Sequence, residues 1–502
     1  MSFPISTDKI ETRLYINGSF SKASDNSKFP IHSPYTHDKI VDVSEASVDD
    51  TDRAVAAAKA ALPSWSALSP DARGAYLKKL AGLIRDSNDE LAQLEAMSSG
   101  RPLSMYFDAQ YTASQFDHWA VASWEGSQGR SSLNTPGFVS MTFRQPIGPV
   151  AIVTPWNFPV AFFGQKAGPA LAAGCTVVLK SSEKAPLTSA KIASLVHEAG
   201  FPAGVFNILS GHGSPCGSTL ASHPDIRAIN FTGSTATGRK IQIAAATSNL
   251  KRVILELGGK SPAIVFEDAD IDKAAGETVG GIALVMGQAC VSNSRIYVHE
   301  SVFEKFMHVF LTIYKGVKKG DPLLPETSQG PQVDRLQYER VKGYLDAARV
   351  GQGKLEMGGH VTEGENGKGY FIEPTVYSGV PEDEVTQKEE VFGPFVNINK
   401  FKTEEEVLTK ANDSEYGLYA SVYTNDLSRA LRVAKALESG QVAINCTSPT
   451  SMADMPFGGY KQSGQGREGY GYSIDEYLET KSVFIAVKDA SGTAVSGSVL
   501  AR

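Results

Sequence analysis

Between residues 149 and 233, short apolar segments alternate with longer segments that have helical periodicity. The apolar segments, such as PVAIV, TVVLK and VFNIL, are rich in β-branched residues and have the length of a buried strand. Residues 186–200 are typical of the intervening segments, with Pro at the start and Gly at the end of a predicted helix. Strands joined by helices run parallel, and the helices cover both faces of the sheet. The alternation therefore predicts an α/β fold with a doubly wound parallel sheet, which binds nucleotides at the carboxyl ends of its strands.

Further segments predict the elements around this sheet. A second alternating block, from about residue 262 to 442, predicts a second α/β unit. Residues 49–61 predict a capped, alanine-rich helix, and residues 162–174 predict a helix that ends at its last glycine. Near the C-terminus, residues 476–487 have the composition of a β-strand.

The composition limits the kinds of function. At 502 residues, with 42% apolar and 21% charged side chains, the chain is expected to form about two to four globular units. Its net charge of −7 comes from intermixed acids and bases, so no nucleic acid partner is expected. No apolar run is long enough to span a membrane and no signal sequence is recognised, so a cytoplasmic location is predicted. The four cysteines lie in no metal-binding pattern, so no metal site is predicted.

Two glycine-rich segments resemble phosphate-binding loops but match them imperfectly. In GHGSPCG (211–217) the third glycine is displaced by one position from the dinucleotide pattern, which favours an ordinary surface loop. GSTATGRK (233–240) ends in Arg-Lys where an ATP-binding loop requires Lys followed by Ser or Thr, so magnesium–ATP chemistry is not supported. The second segment still joins a predicted strand to a predicted helix. It fits a pyrophosphate site and a tight structural turn equally well.

Cys290 and Glu256 are the strongest candidates for chemistry, although each has a structural explanation. Cys290 lies in the small, polar stretch MGQACVSNS, where a nucleophile would be accessible, but a lone free cysteine is more often a packing residue. Glu256 lies in the apolar run VILEL, where burial would raise its pKa toward the range of a general base. An edge strand with Glu256 facing water explains the same run equally well. The other three cysteines are interpreted as packing residues.

Seven short motifs follow one another in a characteristic order and spacing. They are TPWNFP (154–159), KSSE (180–183), FTGST (231–235), ELGGK (256–260), GQAC (287–290), EVFGP (390–394) and PFGGYKQSG (456–464). Together they resemble the aldehyde dehydrogenase superfamily, of the NAD(P)-dependent, non-acylating type with a catalytic Cys and Glu. The register of the resemblance extends from near residue 10 to residue 483. In this context Cys290 is interpreted as a nucleophile, because a base and an oxyanion donor accompany it.

The resemblance implies oxidation of an aldehyde to a carboxylic acid, with NAD as the hydride acceptor. A thiolate at Cys290 attacks the aldehyde carbon, and the Asn157 side chain and the Cys290 backbone N–H stabilise the oxyanion of the thiohemiacetal. Hydride transfer leaves a thioester on Cys290, and Glu256 activates the water that hydrolyses it. The pKa of Glu256 is expected to be raised while part of the carboxyl stays ionised at neutral pH.

The resemblance also implies contacts to the cofactor at four places. The residues concerned are Lys180 and Glu183 at the adenosine ribose, Gly233, Ser234 and Gly238 at the pyrophosphate, Glu390 and Phe392 at the nicotinamide ribose, and Thr154, Trp156 and Lys166 as neighbours of the cleft. A carboxylate that binds a free ribose 2′-hydroxyl would repel a 2′-phosphate. NAD is therefore predicted as the preferred cofactor, with NADP possible.

Three structural parts are implied by the same resemblance. They are a Rossmann-like NAD-binding domain (1–127 and 147–258), an α/β catalytic domain that holds Cys290 (259–458), and a small β arm (128–146 and 470–490) that bridges subunits. Residues 491–502 are expected to form a flexible tail. Since an exposed arm of strands needs a partner, a homodimer or homotetramer is predicted.

The identity of the aldehyde is only narrowed by the sequence. Ala289 and Val291 flank Cys290 without charge, which favours a neutral aldehyde, apolar or aromatic. Four aromatic residues are candidates for the lining of a substrate tunnel, although each fits a core position as well: Phe116, Trp119, Trp124 and Phe158.

Other functions compete with this interpretation. A thiol-dependent esterase or acyltransferase would use Cys290 and Glu256 but would not need the nucleotide-binding motifs. A catalytically silent scaffold on the same fold would not need both residues. Coenzyme-A-acylating members of the superfamily usually lack the water-activating glutamate, so Glu256 favours a free acid as the product.

Overall fold

Two largely parallel β-sheets form the centre of the protein in the computed structural model, which describes residues 5–450, 452 and 454–488. The first sheet has, in spatial order, the strands Ser19–Ser21, Leu14–Ile16, Phe206–Leu209, Thr176–Lys180, Pro149–Val153, Ala228–Thr232, Arg252–Glu256 and Gly464–Gln465. The second sheet has Lys354–Met357, Thr375–Ser378, Phe395–Phe401, Arg295–His299, Pro262–Val265, Tyr419–Tyr423 and Gln441–Ile444. Antiparallel pairing occurs only at the sheet edges of this described part. The α/β class and both alternating blocks are confirmed.

The helices lie between these strands in the chain and cover the sheets. Their bounds are Val48–Ser66, Pro70–Asp86, Asn88–Ser99, Asp108–Ser127, Gly168–Ala173, Leu187–Ala199, Ser218–Ser222, Thr235–Thr247, Ile271–Ala283, Phe303–Lys315, Arg335–Val350, Val385–Lys388, Glu404–Asn412, Leu427–Ala436 and Tyr470–Asp475. The first begins one residue before the predicted start at Asp49, where Ser47 and Asp50 form a reciprocal capping box. It continues to Ser66, five residues beyond the predicted end.

Each central strand is buried on both faces. Alternate residues of the Pro149–Val153 strand enter two different cores: Val150 and Ile152 pack in one, Ala151 and Val153 in the other. The Pro262–Val265 strand of the second sheet divides its side chains in the same way. Side chains alternate across a strand, so a strand that is apolar throughout needs helices on both sides. This explains why the strands appear in the sequence as continuous apolar runs.

One predicted helix is divided in the structure. Residues 162–174 contain a wide π-type turn at Phe163–Ala167 followed by a short helix at Gly168–Ala173. Gly174 ends this helix in the left-handed conformation, as predicted. The wide turn shifts the residues before it relative to a regular helix, and Phe162 and Gln165 of this segment line a cavity described below.

A third sheet stands apart from the two central ones and contains the strands Ser131–Ser132, Phe138–Pro146 and Leu478–Ala486. The two long strands pair antiparallel over nine residues, from Leu478 opposite Pro146 to Ala486 opposite Phe138. The predicted strand at 476–487 is therefore confirmed. Within the described residues, no helix is both long and apolar enough to cross a membrane. The proposed tail, 491–502, lies outside the described residues, and the cytoplasmic location stays a prediction.

Candidate active site

The site is built at the carboxyl ends of neighbouring strands in the first sheet. Val153 is paired with both Lys180 and Phe231, and Thr232 is paired with Glu256, so the ends of four parallel strands are level. The loops that leave these ends carry the motifs singled out in the sequence. Such an edge is where doubly wound sheets bind ligands.

Two cavities meet at Cys290. The first, of about 110 Å³, is lined among others by Trp156, Asn157, Glu256 and Glu390. The second, of about 280 Å³, is mostly aromatic and aliphatic, and we call it the tunnel; its described lining is Phe107, Tyr111, Gln115, Phe158, Ala161, Phe162, Gln165, Cys290, Val291, Tyr419, Gln441, Pro449, Met452, Met455, Phe457, Gly469 and Ser473. Among the described residues, Cys290 alone lines both. A larger surface groove of about 720 Å³ beside the Phe303–Lys315 helix shares no residue with either cavity.

A turn in an unusual conformation presents Cys290 to these cavities. Val285, Met286 and Gly287 all have positive φ angles, of 46°, 55° and 72°. A Cβ at Gly287 would lie 1.9 Å from the Gly393 carbonyl oxygen, so this position requires glycine for space as well as for conformation. The structure of this turn therefore explains why the GQAC motif begins with glycine. Non-glycine residues in this conformation cost free energy that the surrounding packing must offset.

Glu256 lies beside Cys290 and is only 3% exposed, which excludes the water-facing edge strand. Burial raises the pKa of Glu256 to about 7. Burial and the facing carboxylate raise the pKa of the Cys290 thiol well above its ordinary value. Neither carboxylate oxygen of Glu256 has a hydrogen-bond partner of good geometry within the described residues. The arrangement is a neutral thiol beside a carboxyl that titrates near neutrality, as a general base requires.

Asn157 lies at the same junction, almost completely buried. Its Nδ2 donates to the Gln288 carbonyl oxygen at 3.0 Å, which fixes the orientation of the amide and uses one of its two N–H groups. Gln288 directly precedes the Ala289–Cys290 pair, so Asn157 is anchored to the loop that carries the thiol. The second N–H remains available to an oxygen bonded to a carbon at the Cys290 sulfur.

The adenosine end of the predicted cofactor site is formed by Lys180 and Glu183. Lys180 is buried, its Nζ donates to the Ser181 carbonyl oxygen at 2.8 Å and lies 3.9 Å from Glu183 Oε2. Burial lowers the pKa of Lys180. The Glu183 side chain stays about one-third exposed, with room to accept a hydroxyl. A paired cation and carboxylate at a strand end suit the two hydroxyls of a ribose.

The predicted pyrophosphate turn lies at the start of the Thr235–Thr247 helix. Ser234 caps this helix, its Oγ accepting the Thr237 N–H at 3.3 Å, and the Gly233 N–H donates to the Glu256 carbonyl oxygen at 3.1 Å. A Cβ at Gly238 would lie 2.8 Å from Leu257 Cδ2, so this glycine allows close packing of helix and strand. A helix start presents N–H groups without helical partners and favours anions.

The predicted nicotinamide end of the cofactor site is centred on Glu390. Its Oε1 accepts the Gly259 N–H at 3.0 Å, and a Cβ at Gly258 would lie 2.4 Å from Oε2, so the ELGGK glycines make room for this carboxyl. Burial raises the pKa of Glu390 to about 7. Phe392, with φ 58°, meets the Trp156 ring edge-to-face at 5.4 Å.

Two residues of this cleft were missed by the sequence interpretation. Gln337 and Arg340, on the Arg335–Val350 helix, line the first cavity. Gln337 Nε2 donates to the Phe392 carbonyl oxygen at 2.8 Å, and Arg340 Nη2 donates to the Glu390 carbonyl oxygen at 3.1 Å. They hold the segment that carries the nicotinamide-end residues. Gln337 lies on the same buried face of this helix as Val341 and Leu345, and neither Gln337 nor Arg340 belongs to a recognised motif in the sequence.

Two predicted neighbours of the cleft lie slightly outside it. Thr154 is buried and its N–H donates to the Lys180 carbonyl oxygen at 3.1 Å, so it ties two strand ends together. Lys166 is fully buried and binds Glu468 at 2.6 Å and Asn230 at 2.9 Å. Neither residue lines the first cavity. Their role seen here is to hold the strands and loops that form the cleft.

Of the four aromatic candidates for the tunnel, only Phe158 lines it. Phe116 and Trp119 are buried in the core beside the first sheet, and Trp124 is exposed at the surface with its Nε1 donating to Asp71 at 2.7 Å. The expectation was wrong for these three because they lie on other faces of the Asp108–Ser127 helix.

Comparison with known proteins agrees with this geometry. The model of the aldehyde dehydrogenase family matches residues 20–483. Aldehyde dehydrogenase 1A1 of Bos taurus is 42% identical over 95% of each chain, and retinal dehydrogenase 2 of Homo sapiens is 41% identical over 95% of this chain and 92% of its own. The solved structure of the indole-3-acetaldehyde dehydrogenase of P. syringae, in complex with NAD+ and IAA, has a TM-score of 0.93 at 38% identity, over 95% of this chain and 97% of its own.

These relationships define the protein as an oxidoreductase of α/β fold. The chain belongs to the aldehyde dehydrogenase family, and its reaction is the oxidation of an aldehyde to a carboxylic acid. The family, the fold class and the reaction predicted from the sequence are confirmed.

Proposed function

We propose that the protein oxidises a neutral aldehyde with NAD+ through a covalent thioester on Cys290. The observation that carries this proposal is the position of Cys290. Among the described residues, it is the only one that lines both the first cavity and the tunnel. A nucleophile at this junction meets the substrate from one cavity and the cofactor from the other. The NAD+ bound to the P. syringae relative supports the choice of cofactor.

The thiol must lose its proton before it can attack. Because the pKa of Cys290 is raised, the thiolate forms as its proton passes to an acceptor, and the facing Glu256 is that acceptor. The sulfur then bonds to the aldehyde carbon, and the carbonyl oxygen becomes an oxyanion. The free N–H of Asn157 and the Cys290 backbone N–H stabilise this charge.

NAD+, when bound, supplies the hydride acceptor. Lys180 and Glu183 would hold the adenosine ribose, the helix start at Ser234 the pyrophosphate, and Glu390 the nicotinamide ribose. The fit is supported by the space left at Gly258, which admits the Glu390 carboxyl, and by the uncovered N–H groups of the helix start. A 2′-phosphate would meet the Glu183 carboxylate, so NAD+ is favoured over NADP+.

Departure of hydride leaves a thioester on Cys290. Glu256, which has by then released the thiol proton to solvent, takes a proton from water as a carboxylate while the water oxygen bonds to the acyl carbon. The carbon–sulfur bond then breaks, the acid leaves, and Cys290 returns as the thiolate. Both carboxylate oxygens of Glu256 are buried without a good hydrogen bond in the described structure, which leaves them free for this proton transfer.

The test is NADH formation by wild-type protein, Cys290→Ala and Cys446→Ala with a series of neutral aldehydes. Cys446 is a half-buried cysteine in a surface groove that adjoins the tunnel, but it lines neither cavity, so it serves as the matched control. We expect no turnover in Cys290→Ala, unchanged NAD+ binding, and activity near wild type in Cys446→Ala. Turnover by Cys290→Ala comparable to wild type would refute the thioester route.

We also propose that the third sheet joins two or more copies of the chain. Its outer strand, Leu478–Ala486, is long and lies at an edge, and Phe484, Ile485 and Phe143 are exposed on this sheet. Exposed apolar edge strands pair readily with another chain. Sedimentation of the purified protein is expected to give a dimer or tetramer, and a monomer at micromolar concentration would contradict this proposal.

A further inference from the structure

One face of the Asp108–Ser127 helix and its N-cap forms a wall of the tunnel. Phe107, Tyr111 and Gln115 follow at intervals of four residues, and all three line the cavity. Residues spaced in this way lie on one helix face, about 6 Å apart along the axis. The wall therefore presents a ring, then a phenol, then an amide.

The aromatic part of this wall is held in place from behind. The Arg101 guanidinium lies 4.9 Å from the ring centre of Phe107 and 4.8 Å from that of Phe158, and these two rings are 6.0 Å apart. Arg101 is itself buried and bonded to Glu95 at 2.9 Å and Asp108 at 2.7 Å. A fixed pair of rings of this kind favours an aromatic group beside it, in edge-to-face or offset contact.

The tunnel has no Asp, Glu, Lys or Arg in its described lining. Apolar side chains, among them Phe162, Phe457 and Met455, form most of the remainder. A charged substrate would lose its hydration here without gaining a partner. The body of the substrate is therefore neutral and mostly apolar.

Several polar groups that reach the tunnel are already hydrogen-bonded. Gln165 Nε2 donates to Glu468 at 2.5 Å. The Tyr419 hydroxyl donates to the Thr450 carbonyl oxygen at 2.7 Å. These groups stabilise the tunnel wall, and their hydrogen bonds are already formed without a ligand.

Tyr111 and Gln115 differ from them. Within the described residues, neither the Tyr111 hydroxyl nor the Gln115 amide forms a hydrogen bond, although Gln115 is only 7% exposed. Burial raises the pKa of Tyr111, so its phenol stays neutral and can donate. Neither residue has a polar side-chain atom that is both buried from solvent and unpaired, so these polar atoms are accessible from the tunnel that both residues line. The two groups lie one helical turn apart on the tunnel wall. They are placed to form hydrogen bonds with a ligand that has a polar atom beside them.

We infer that the tunnel selects aromatic aldehydes that carry a neutral hydroxyl group on the ring, and that Tyr111 and Gln115 determine this specificity. A hydroxyl can donate one hydrogen bond and accept another, so it can pair with the phenol and the amide together. The aldehyde group then points toward Cys290 and the ring packs against Phe107 and Phe158. This inference rests on the proposed oxidation at Cys290.

The test compares hydroxyl-bearing and methyl-bearing substrates, because a methyl group matches the size of a hydroxyl but cannot form hydrogen bonds. The pairs are 3-hydroxybenzaldehyde with 3-methylbenzaldehyde, and the two 4-substituted analogues. The kcat/KM ratio within each pair is measured from NADH fluorescence for wild type, Tyr111→Phe and Gln115→Met. Both substitutions remove polar atoms without partners, so folding is expected to be retained, and thermal melting checks this.

We expect the hydroxyl-to-methyl ratio of the preferred pair to fall by about fivefold in each variant, the usual effect of one neutral hydrogen bond. Tyr419→Phe is the matched control, since its hydroxyl is already bonded to Thr450 and its loss is expected to affect both members of a pair equally. Activity with unchanged ratios in Tyr111→Phe and Gln115→Met would overturn the specificity inference alone. No NADH from any aldehyde with folded wild-type protein would instead refute the proposed function.

Discussion

Replacing Glu256 with Gln removes a buried ionisable group of the first cavity, beside Cys290, and keeps the shape of the side chain. The substitution acts on catalysis and on stability in opposite directions. Catalysis loses a proton acceptor, since an amide cannot take the proton from water. The fold loses an ionised group that burial disfavours.

The effect on stability follows from the pKa. Burial raises the pKa of Glu256 from 4.5 to about 7. Between these values the unfolded chain has released a proton that the folded protein still holds, so stability falls as the pH rises and the loss is complete above about pH 7. A shift of this size corresponds to roughly 3 kcal/mol. Glu256→Gln is therefore expected to raise the free energy of unfolding by up to about 3 kcal/mol at pH 8 and by little near pH 4.5.

The effect on catalysis has its own pH signature. With a pKa of about 7, roughly 9% of Glu256 is ionised at pH 6 and roughly 91% at pH 8, so wild-type kcat is expected to rise about tenfold over this interval. Glu256→Gln is expected to lower kcat by at least about a hundredfold and to flatten the profile. Glu390 also titrates near pH 7, so the assay uses saturating NAD+ to keep cofactor binding out of the measurement.

Stopped-flow and steady-state NADH measurements give the kinetic profile, and denaturant unfolding at several pH values gives the stability. A variant that is more stable at pH 8 yet slow would show that the lost activity is not a loss of folding. A variant that keeps wild-type kcat and its rise between pH 6 and pH 8 would refute the role of Glu256 as the base. A variant less stable than wild type at pH 8 would refute the pKa argument.

Three more predictions follow from single contacts. Asn157→Ala is expected to lower kcat about a hundredfold with NAD+ affinity unchanged in titrations, and an unchanged kcat would exclude the oxyanion role. Glu183→Gln is expected to raise the NADP+ to NAD+ ratio of kcat/KM about tenfold, because it removes the charge that repels a 2′-phosphate, and a constant ratio would contradict this. Gly287→Ala is expected to destabilise the protein by at least about 2 kcal/mol through overlap with the Gly393 carbonyl and a left-handed φ. Gly280→Ala is the control, because within the described residues no atom outside its own stretch of helix lies within 4 Å of the new Cβ, and this variant is expected to melt at or above the wild-type temperature.

Local sequence was sufficient for the elements whose signals are local. The Val48–Ser66 helix begins within one residue of its predicted start at Asp49, because Ser47 and Asp50 satisfy each other's hydrogen bonds through local contacts. The strand at Thr176–Lys180 follows from a continuous apolar run. Chain direction then places Lys180 and Glu256 at the same edge, since parallel strands end on the same side.

Helical residues show where periodicity stops being informative. Spacing along the Asp108–Ser127 helix gives the angle between two side chains but not which face meets the tunnel. For this reason Phe116 and Trp119 were plausible tunnel residues in the sequence. In the structure they lie in the core, and Tyr111 and Gln115 line the tunnel instead. Gln337 was missed in the same way, as a polar residue on a helix that becomes a cleft residue only where the helix is packed.

The sequence by itself determined the order of strands and helices, the motifs and the residue types available for chemistry. Tertiary structure alone decided that Glu256, at the end of a strand of the first sheet, faces Cys290, in the loop before the Arg295–His299 strand of the second sheet. It also decided their pKa values, since desolvation depends on every atom packed around a group and not on its neighbours in the chain. A carboxyl in an apolar run can be a solvent-facing edge residue or a base that titrates near neutrality, and only its surroundings in space distinguish the two.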